Sequence, residues 1–107
     1  MLQAKLIKKI RKLISPTDHD FAQAFKVLGD INRYRIFHIL SSHSGISVGN
    51  VAKILNISLP LTSIHLKVLS NNKLVLKEKE GKKIYPKLNL KNPLVRAFIE
   101  VITDSTR

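Results

Sequence analysis

The most constraining feature of the sequence is a pair of short helical segments, 48–55 and 58–69, with only two residues between them. Ser58 can cap the second segment, because its hydroxyl can accept a hydrogen bond from a first-turn amide. Pro60 follows within that turn, where a missing N–H costs nothing. At 100° per residue, one side of the segment suits inward packing and carries Thr62, His65, Leu66 and Leu69. The pair therefore predicts a helix-turn-helix, whose second helix can enter the major groove of DNA.

The opposite side of the second segment has residue types that suit contact with DNA. Ser63 can hydrogen-bond to a base edge or a phosphate, and Lys67 suits a phosphate. Leu59 or Ile64 can contact the methyl group of thymine. The predicted DNA-binding residues on this helix are Ser58, Leu59, Pro60, Ser63, Ile64 and Lys67.

After residues 71–72 the sequence period changes from helical to extended, which predicts a β-hairpin. Residues 74–76 begin the first strand, Glu80-Gly81 forms the turn, and residues 82–88 return. Pro86 cannot donate to a ladder, so it must face an open edge or end the return strand early. The predicted tip carries three further DNA-binding residues, which can follow the backbone or the minor groove: Lys79, Lys82 and Lys83.

The net charge of +12 favours a polyanionic partner. The 107 residues include 19 lysines and arginines against 7 acids, and 44% are hydrophobic, which fits a single domain spanning residues 1–107. A solvated basic surface is the plain alternative. The location of the charge speaks against it, because residues 58–91 contain eight lysines and two glutamates and so carry half of the net charge. This concentration supports double-stranded DNA as the partner.

Both ends of the chain predict helices with extensive apolar surface. Residues 2–14 place leucines and isoleucines on one side and basic residues on the other, and residues 93–103 are apolar around more than half of the helix. The first helix can pack on the domain, on a second subunit or on a membrane surface. Apolar surface on both helices favours a homodimer over a membrane partner. We therefore predict dimerisation helices within 1–15 and 92–104, with interface residues Leu6, Ile10, Leu13, Phe98 and Ile102.

Polar residues mark the starts of the remaining helices. Thr17 is expected to cap a helix that runs to about Leu28, where Gly29 ends it. Asp30 is expected to cap the helix 31–42, and Ser47 the first helix of the helix-turn-helix. The predicted fold class is therefore mostly α, with one small β-hairpin.

The sequence offers little to a metal site or a catalytic centre. It has no cysteine, which excludes disulfides and thiolate ligands. His65 falls on the inward side of its helix, and His38 and His43 are five residues apart across a helix end, which is poor geometry for one ion. No Ser/His/Asp set, phosphate-binding glycine loop or carboxylate pair stands out. We therefore expect no enzymatic activity, no cofactor and no metal.

The sequence also gives no reason to expect a membrane partner. No apolar run approaches the roughly 20 residues that cross a bilayer. The apolar residues of 2–14 are interrupted by basic residues at short intervals, which does not fit a signal peptide. The cytoplasm is the expected location.

Several blocks of the sequence, in this order, resemble the ArsR-type winged-helix repressors. They are DINRYRI (30–36), SVGNVAKIL (47–55), SLPLTSIHLKVL (58–69), KLV (73–75) and EGKKIY (80–85), and the resemblance covers roughly residues 25–88. It implies a winged helix-turn-helix that dimerises through its first and last helices. Metal sensors of the family often carry cysteines at positions matching Ser47 and Gly49, and neither residue here is a useful ligand. Leu59 replaces a base-reading polar residue common in the family, which weakens the case for strong sequence specificity.

The sequence thus predicts a homodimeric DNA-binding transcriptional repressor that does not sense metals. Two recognition helices would occupy successive major grooves of an imperfect palindrome and block the operator. Two alternatives stay open. The first is an architectural or auxiliary DNA binder of low specificity. The second is a module that binds a protein or a membrane, either through its first helix or through Leu59 together with an apolar edge formed by Leu61 and Val68.

Overall fold

The computed structural model describes residues 2–105 and shows a mostly α-helical chain with a two-stranded antiparallel sheet. The hairpin follows the helix-turn-helix, and a last helix follows the hairpin. The predicted fold class is therefore confirmed. The elements of this part of the chain are α1 (Ala4–Arg11), α2 (Asp18–Leu28), α3 (Ile31–Ser42), α4 (Val48–Leu55), α5 (Leu59–Asn71), β1 (Val75–Glu80), β2 (Lys83–Leu88) and α6 (Pro93–Ser105).

Side-chain caps begin three helices as the sequence predicts. Asp30, Ser47 and Ser58 precede α3, α4 and α5 in extended backbone conformations. Each accepts the backbone N–H of the residue three positions later, at 3.0, 3.2 and 3.1 Å respectively. These bonds satisfy amides that a helix start would otherwise leave unpaired, and they fix where each helix begins.

The start of α2 differs from the prediction that Thr17 caps it. A capping residue needs an extended backbone, but Thr17 already has helical angles and its side chain makes no cap hydrogen bond. Its hydroxyl pairs with the Ser15 hydroxyl at 2.7 Å instead. Asp18 accepts the Ser15 N–H at 3.1 Å, so a carboxylate inside the first turn ties the helix to the preceding segment.

The helices α4 and α5 end in the same way, with one residue in the left-handed conformation. Asn56 (φ 54°) follows α4, and Lys73 (φ 61°) follows α5. The amide after each of them donates to a carbonyl five residues back, at 3.1 and 3.0 Å. This is the Schellman arrangement, which stops a helix sharply. It permits the tight turn of the helix-turn-helix and directs the chain from α5 into β1.

The hydrophobic core lies behind α5 and connects it to the other elements from α2 to α6. Ile36 and Phe37 of α3 and Leu66 and Leu69 of α5 are among its largest fully buried side chains. The base of the hairpin also belongs to the core, so the hairpin is anchored where it leaves the domain. The buried cluster consists of Val27, Ile36, Phe37, Val51, Leu66, Leu69, Leu74, Val75, Leu88, Val95 and Ile102.

The hairpin pairs β1 with β2 over six positions. Gly81 has a φ of 63°, the left-handed region that the first position of a type II′ turn requires. Lys82 occupies the second turn position, so the return strand begins one residue later than predicted, at Lys83. The ladder continues past Pro86 to Leu88. Of the two alternatives for this proline, the open edge therefore applies.

The first helix is shorter than predicted, and no residue of α1 is buried by the other described residues of the chain. It covers Ala4–Arg11 rather than 2–14, and Leu13 lies beyond its end with 79% of its surface exposed. The molecule measures 61 × 30 × 24 Å. Its radius of gyration is 17.4 Å, whereas a compact domain of this length would have about 13 Å. The alternative in which the first helix packs on its own domain is therefore wrong.

The last helix, in contrast, packs one side into the core. Val95 and Ile102 are buried, as expected for residues seven apart on one helix. Ile102, predicted as an interface residue, is thus already covered within its own chain. Phe98 is half-buried, with its ring centroid 5.7 Å from that of Phe25 and 6.2 Å from that of Phe37. Phe25 remains 61% exposed, so an aromatic pair lies at this surface.

Asp30→Ala is expected to lower the free energy of unfolding by at least about 1 kcal/mol, because it removes the cap of α3. Thr17→Ala is the matched control and is expected to change it by less than about 0.5 kcal/mol, because Thr17 makes no cap bond. Urea unfolding at a fixed protein concentration measures both. Equal losses for the two variants would contradict the assignment of the caps.

This contribution of Asp30 also has a defined pH dependence. The pKa of Asp30 lies below its ordinary value of 3.8, chiefly because the backbone N–H of Arg33 donates to the carboxylate, with the positive Arg33 side chain adding to the effect. Because the pKa is lowered on folding, the stabilisation is present at neutral pH and is lost as the pH falls through the folded-state pKa. The stability difference between the native chain and Asp30→Ala is therefore expected to shrink below pH 3.8.

Candidate nucleic-acid interface

The recognition helix α5 has the two sides that its sequence predicts. The four residues of the inward side, Thr62, His65, Leu66 and Leu69, are all buried. The Thr62 hydroxyl donates to the backbone carbonyl of Ser58 at 2.9 Å, so this buried polar group has a partner. Burial of one side fixes the rotation of α5 about its axis, and the other side therefore faces outward.

The outward side of α5 presents the predicted DNA-binding residues to solvent. Leu59 and Ile64 leave 53% and 59% of their surfaces exposed. Ser63 and Lys67 lie about one helical turn apart on this side. The Ser58 oxygen already serves the cap, which leaves its hydroxyl hydrogen as the group that could donate to a phosphate. The exposed set is Ser58, Leu59, Pro60, Ser63, Ile64 and Lys67.

A polar junction holds the middle of α5 against the start of α3. Arg33 Nη1 lies 3.4 Å from His65 Nδ1, and a guanidinium only donates, so the imidazole nitrogen accepts. Arg33 Nε donates to the backbone carbonyl of Val27 at 2.6 Å. Asp30 Oδ2 lies 3.8 Å from His65 Nδ1, which is an electrostatic contact rather than a hydrogen bond. We call this cluster the Asp30–Arg33–His65 junction, and it links the end of α2 to α3 and α5.

The hairpin lies beside the N-terminal half of α5. Leu59 and Ser63 of the helix line one cavity together with Lys82 and Lys83 of the hairpin. The structure therefore brings helix and hairpin residues from the predicted set to one surface. Lys79, the third predicted hairpin residue, is exposed on β1, and Lys67 lies on α5 outside the cavity.

Comparison with known proteins identifies the family. No family profile matches the chain. A Staphylococcus aureus protein described as a cadmium resistance transcriptional regulatory protein CadC homolog is 32% identical over 98 residues, which cover 89% of this chain and 81% of that protein. The chain belongs to the ArsR-type winged-helix regulators. The expectation that it is not an enzyme fits this relative, which is a transcriptional regulator.

Solved structures support the winged-helix fold of this ArsR-type chain. HlyU from Vibrio cholerae N16961 superimposes with a TM-score of 0.75 at 25% identity, over 83% of this chain and 94% of that one. A possible ArsR-family regulator from Mycobacterium bovis superimposes with a TM-score of 0.70 over 87% of this chain and 86% of that one. It is described as a homodimeric winged helix-turn-helix DNA-binding domain, and at 19% identity it shows the fold alone.

The apolar edge predicted on the ArsR-type recognition helix is not continuous. Val68 is partly buried and packs against the core cluster. Leu61 is more exposed and lies at the first turn of α5, close to the cap. Of the two edge residues, only Leu61 is thus exposed, which weakens the interaction-module alternative.

The two positions that match cysteines in metal-sensing members, Ser47 and Gly49, carry no useful metal ligand. Ser47 is a buried residue whose hydroxyl caps α4, and Gly49 has no side chain. Within residues 2–105, no three His, Cys, Asp or Glu side chains are grouped so that they could hold a metal ion. In the same part of the chain, no helix is both long and apolar enough to cross a membrane.

Sequence reasoning missed two exposed aromatic residues on α2. Phe21 and Phe25 are four residues apart, and both are exposed. Their i, i+4 spacing is the sequence signal for a second apolar stripe on α2. The contact of Phe25 with Phe98 extends the apolar surface from the last helix to α2.

Proposed function

We propose that this chain is a homodimeric, sequence-specific repressor that binds double-stranded DNA through α5 and the hairpin. The observation that carries the proposal is that Leu59 and Ser63 of α5 line one cavity with Lys82 and Lys83, because this brings helix and hairpin residues of the predicted DNA-binding set together. Burial of the opposite side of α5 supports the outward direction of the contact residues. Occupation of an operator by such a dimer would exclude the transcription machinery.

The residues of this surface are proposed to contact different parts of the DNA. Lys67 and the hairpin lysines Lys79, Lys82 and Lys83 contact phosphates, because an exposed ammonium group neutralises phosphate regardless of sequence. Ser63 lies nearer the start of α5, where a recognition helix meets the base edges. Leu59 and Ile64 contact thymine methyl groups. Base reading by one hydroxyl and two apolar groups gives modest discrimination, and an architectural binder of low specificity is therefore the second candidate.

The dimer is supported by the apolar surface that a single chain leaves uncovered. Leu6 and Ile10 on α1 are exposed, and α1 projects from an elongated molecule. Phe98 lies next to the exposed Phe25. We assign Leu6, Ile10, Leu13, Phe25 and Phe98 to the interface. Ile102 supports the interface from inside, since its side chain packs in the core of its own chain.

DNA affinity is proposed to be independent of thiophilic metals. Several relatives are described as cadmium resistance regulators. This chain has no cysteine, and Ser47 is engaged in a helix cap. A regulator with this residue set would need a different signal to leave its operator.

Lys67→Ala and Ser63→Ala are expected to change DNA binding in different ways. Lys67→Ala should weaken binding to all duplexes similarly and lower the slope of log K against log salt by about one unit, because it removes one phosphate contact. Ser63→Ala should cost about 1 kcal/mol on a preferred duplex and little on random DNA, because it removes a base contact. Fluorescence anisotropy over a series of salt concentrations measures both, with the preferred duplex selected from a random library.

Lys26→Ala is the control for these titrations, because Lys26 is an exposed lysine on α2, outside the proposed surface. Unchanged affinity in both test variants would contradict the assignment of α5. Failure to select any preferred duplex would favour the architectural candidate. The same titration with cadmium present should leave the affinity unchanged, and a tenfold loss reversed by a chelator would reveal a metal site.

The combined variant Leu6→Asp, Ile10→Asp is expected to convert a dimer into a monomer, because it places two charges in the proposed apolar interface. Light scattering at micromolar concentration measures the mass of each chain. Ile54→Asp is the control, since Ile54 is also apolar and is more exposed than Leu6 and Ile10, but lies on α4. A native chain that is monomeric at this concentration, or a dimer that survives both charges, would contradict the interface.

A further inference from the structure

The cavity between α5 and the hairpin has the properties of a small-molecule site. Its volume is about 410 Å³, within the range of roughly 300–1,000 Å³ that ligand pockets commonly show. The lining is predominantly apolar and includes Val48 at the start of α4, Leu59 and Leu66 on α5, and Ile84 on β2. Leu66 is fully buried, so the floor of the cavity is part of the core.

DNA alone does not account for this lining. The face of a DNA-binding protein meets phosphates, sugars and base edges, and the thymine methyl is the main apolar group that the major groove presents. Leu59 and Ile84 nevertheless expose 53% and 41% of their surfaces around a cavity much larger than a methyl group. Exposed apolar side chains that converge on one pocket favour an apolar ligand.

The charges around the cavity are of one sign. Its lining contains lysines and no acidic residue. The alternation of side chains along the hairpin keeps its two glutamates away from the face of the buried Val75, which Lys77 and Ile84 share. Glu78 and Glu80 fall on the opposite face, where Glu78 pairs with Lys87. An anionic group in the cavity would therefore meet ammonium groups without a competing carboxylate.

We propose that this cavity binds an amphipathic organic carboxylate and that the bound ligand releases the protein from DNA. The carboxylate contacts Lys77 and Lys82, and the apolar body packs against Leu59, Leu66 and Ile84. Binding requires only the cavity. Release rests on the proposed function, because the ligand would cover Leu59 and Lys82, which are also assigned to DNA contact. Ligand and duplex would then compete for one surface.

Calorimetric titration of the full chain with decanoate, in the absence of DNA and below the micellar concentration, tests the site itself. Saturable binding of one decanoate per chain is expected. Acetate, which lacks the apolar body, and decyltrimethylammonium, which reverses the charge, are expected not to bind. Equal binding of decanoate and decyltrimethylammonium would overturn the proposal, because it would indicate non-specific association with apolar surface.

Paired variants locate the site. Ile84→Asn and Lys77→Gln are each expected to weaken decanoate binding at least tenfold, whereas the matched surface changes Ile54→Asn and Lys26→Gln should leave it unchanged. Neither Ile84 nor Lys77 is among the residues assigned to DNA contact. Helix α1 also carries exposed apolar and basic residues. If the Leu6→Asp, Ile10→Asp variant lost decanoate binding while Ile84→Asn retained it, decanoate would bind to α1, and the assignment of the site to the cavity would be overturned.

Competition with DNA is measured separately on the preferred duplex. Saturating decanoate is expected to lower the affinity of the native chain at least tenfold and to leave that of Lys77→Gln almost unchanged, with equimolar acetate as the ionic control. Decanoate that binds in the calorimeter without changing DNA affinity would contradict release. If the chain binds no duplex, the proposed function is wrong. The calorimetric titration would still test whether the cavity binds decanoate.

Discussion

The direction in which α5 faces depends on the Asp30–Arg33–His65 junction and the apolar contacts on either side of it. His65 accepts from Arg33 at 3.4 Å in the middle of the helix, while Leu66 and Leu69 pack into the core. Arg33 also donates to the Val27 carbonyl at 2.6 Å. A helix with only leucines on its inner side could rotate slightly about its axis at modest cost. A directional polar contact restricts that rotation, since an unpaired buried polar group is costly.

The ends of the same helix are fixed by backbone geometry. Ser58 caps its start, and the left-handed Lys73 closes its end in a Schellman arrangement. The chain therefore leaves α5 directly into β1, and Val75 and Leu88 bury the base of the hairpin in the core. Position and direction of the hairpin thus follow from the end of α5, which explains why Lys82 lies close to Ser63 although 19 positions separate them in the sequence.

The sequence predicted those features that depend on interactions between residues close together in the chain. The inward side of α5, the caps at Asp30, Ser47 and Ser58, and the hairpin follow from side-chain spacing and short-range hydrogen bonds. Thr17 was predicted wrongly, because capping depends on a backbone conformation that its residue type does not dictate. The length of α1 was overestimated, since periodicity shows which side is apolar but not whether a partner stabilises the last turn. The cavity beside Ile84 depends on how the hairpin folds back over α5, which sequence spacing does not contain.

Mapping the contact surface by NMR tests directly whether the outward side of α5 and the hairpin tip form one DNA-binding surface. The full, ¹⁵N-labelled chain is titrated with its selected duplex, and amide shifts are followed residue by residue. The largest shift changes are expected in residues 59–67 and 79–83, with small changes in α1 and in the exposed part of α2. Large shifts confined to α1 or α6, with residues 59–67 unaffected, would contradict this DNA-binding surface.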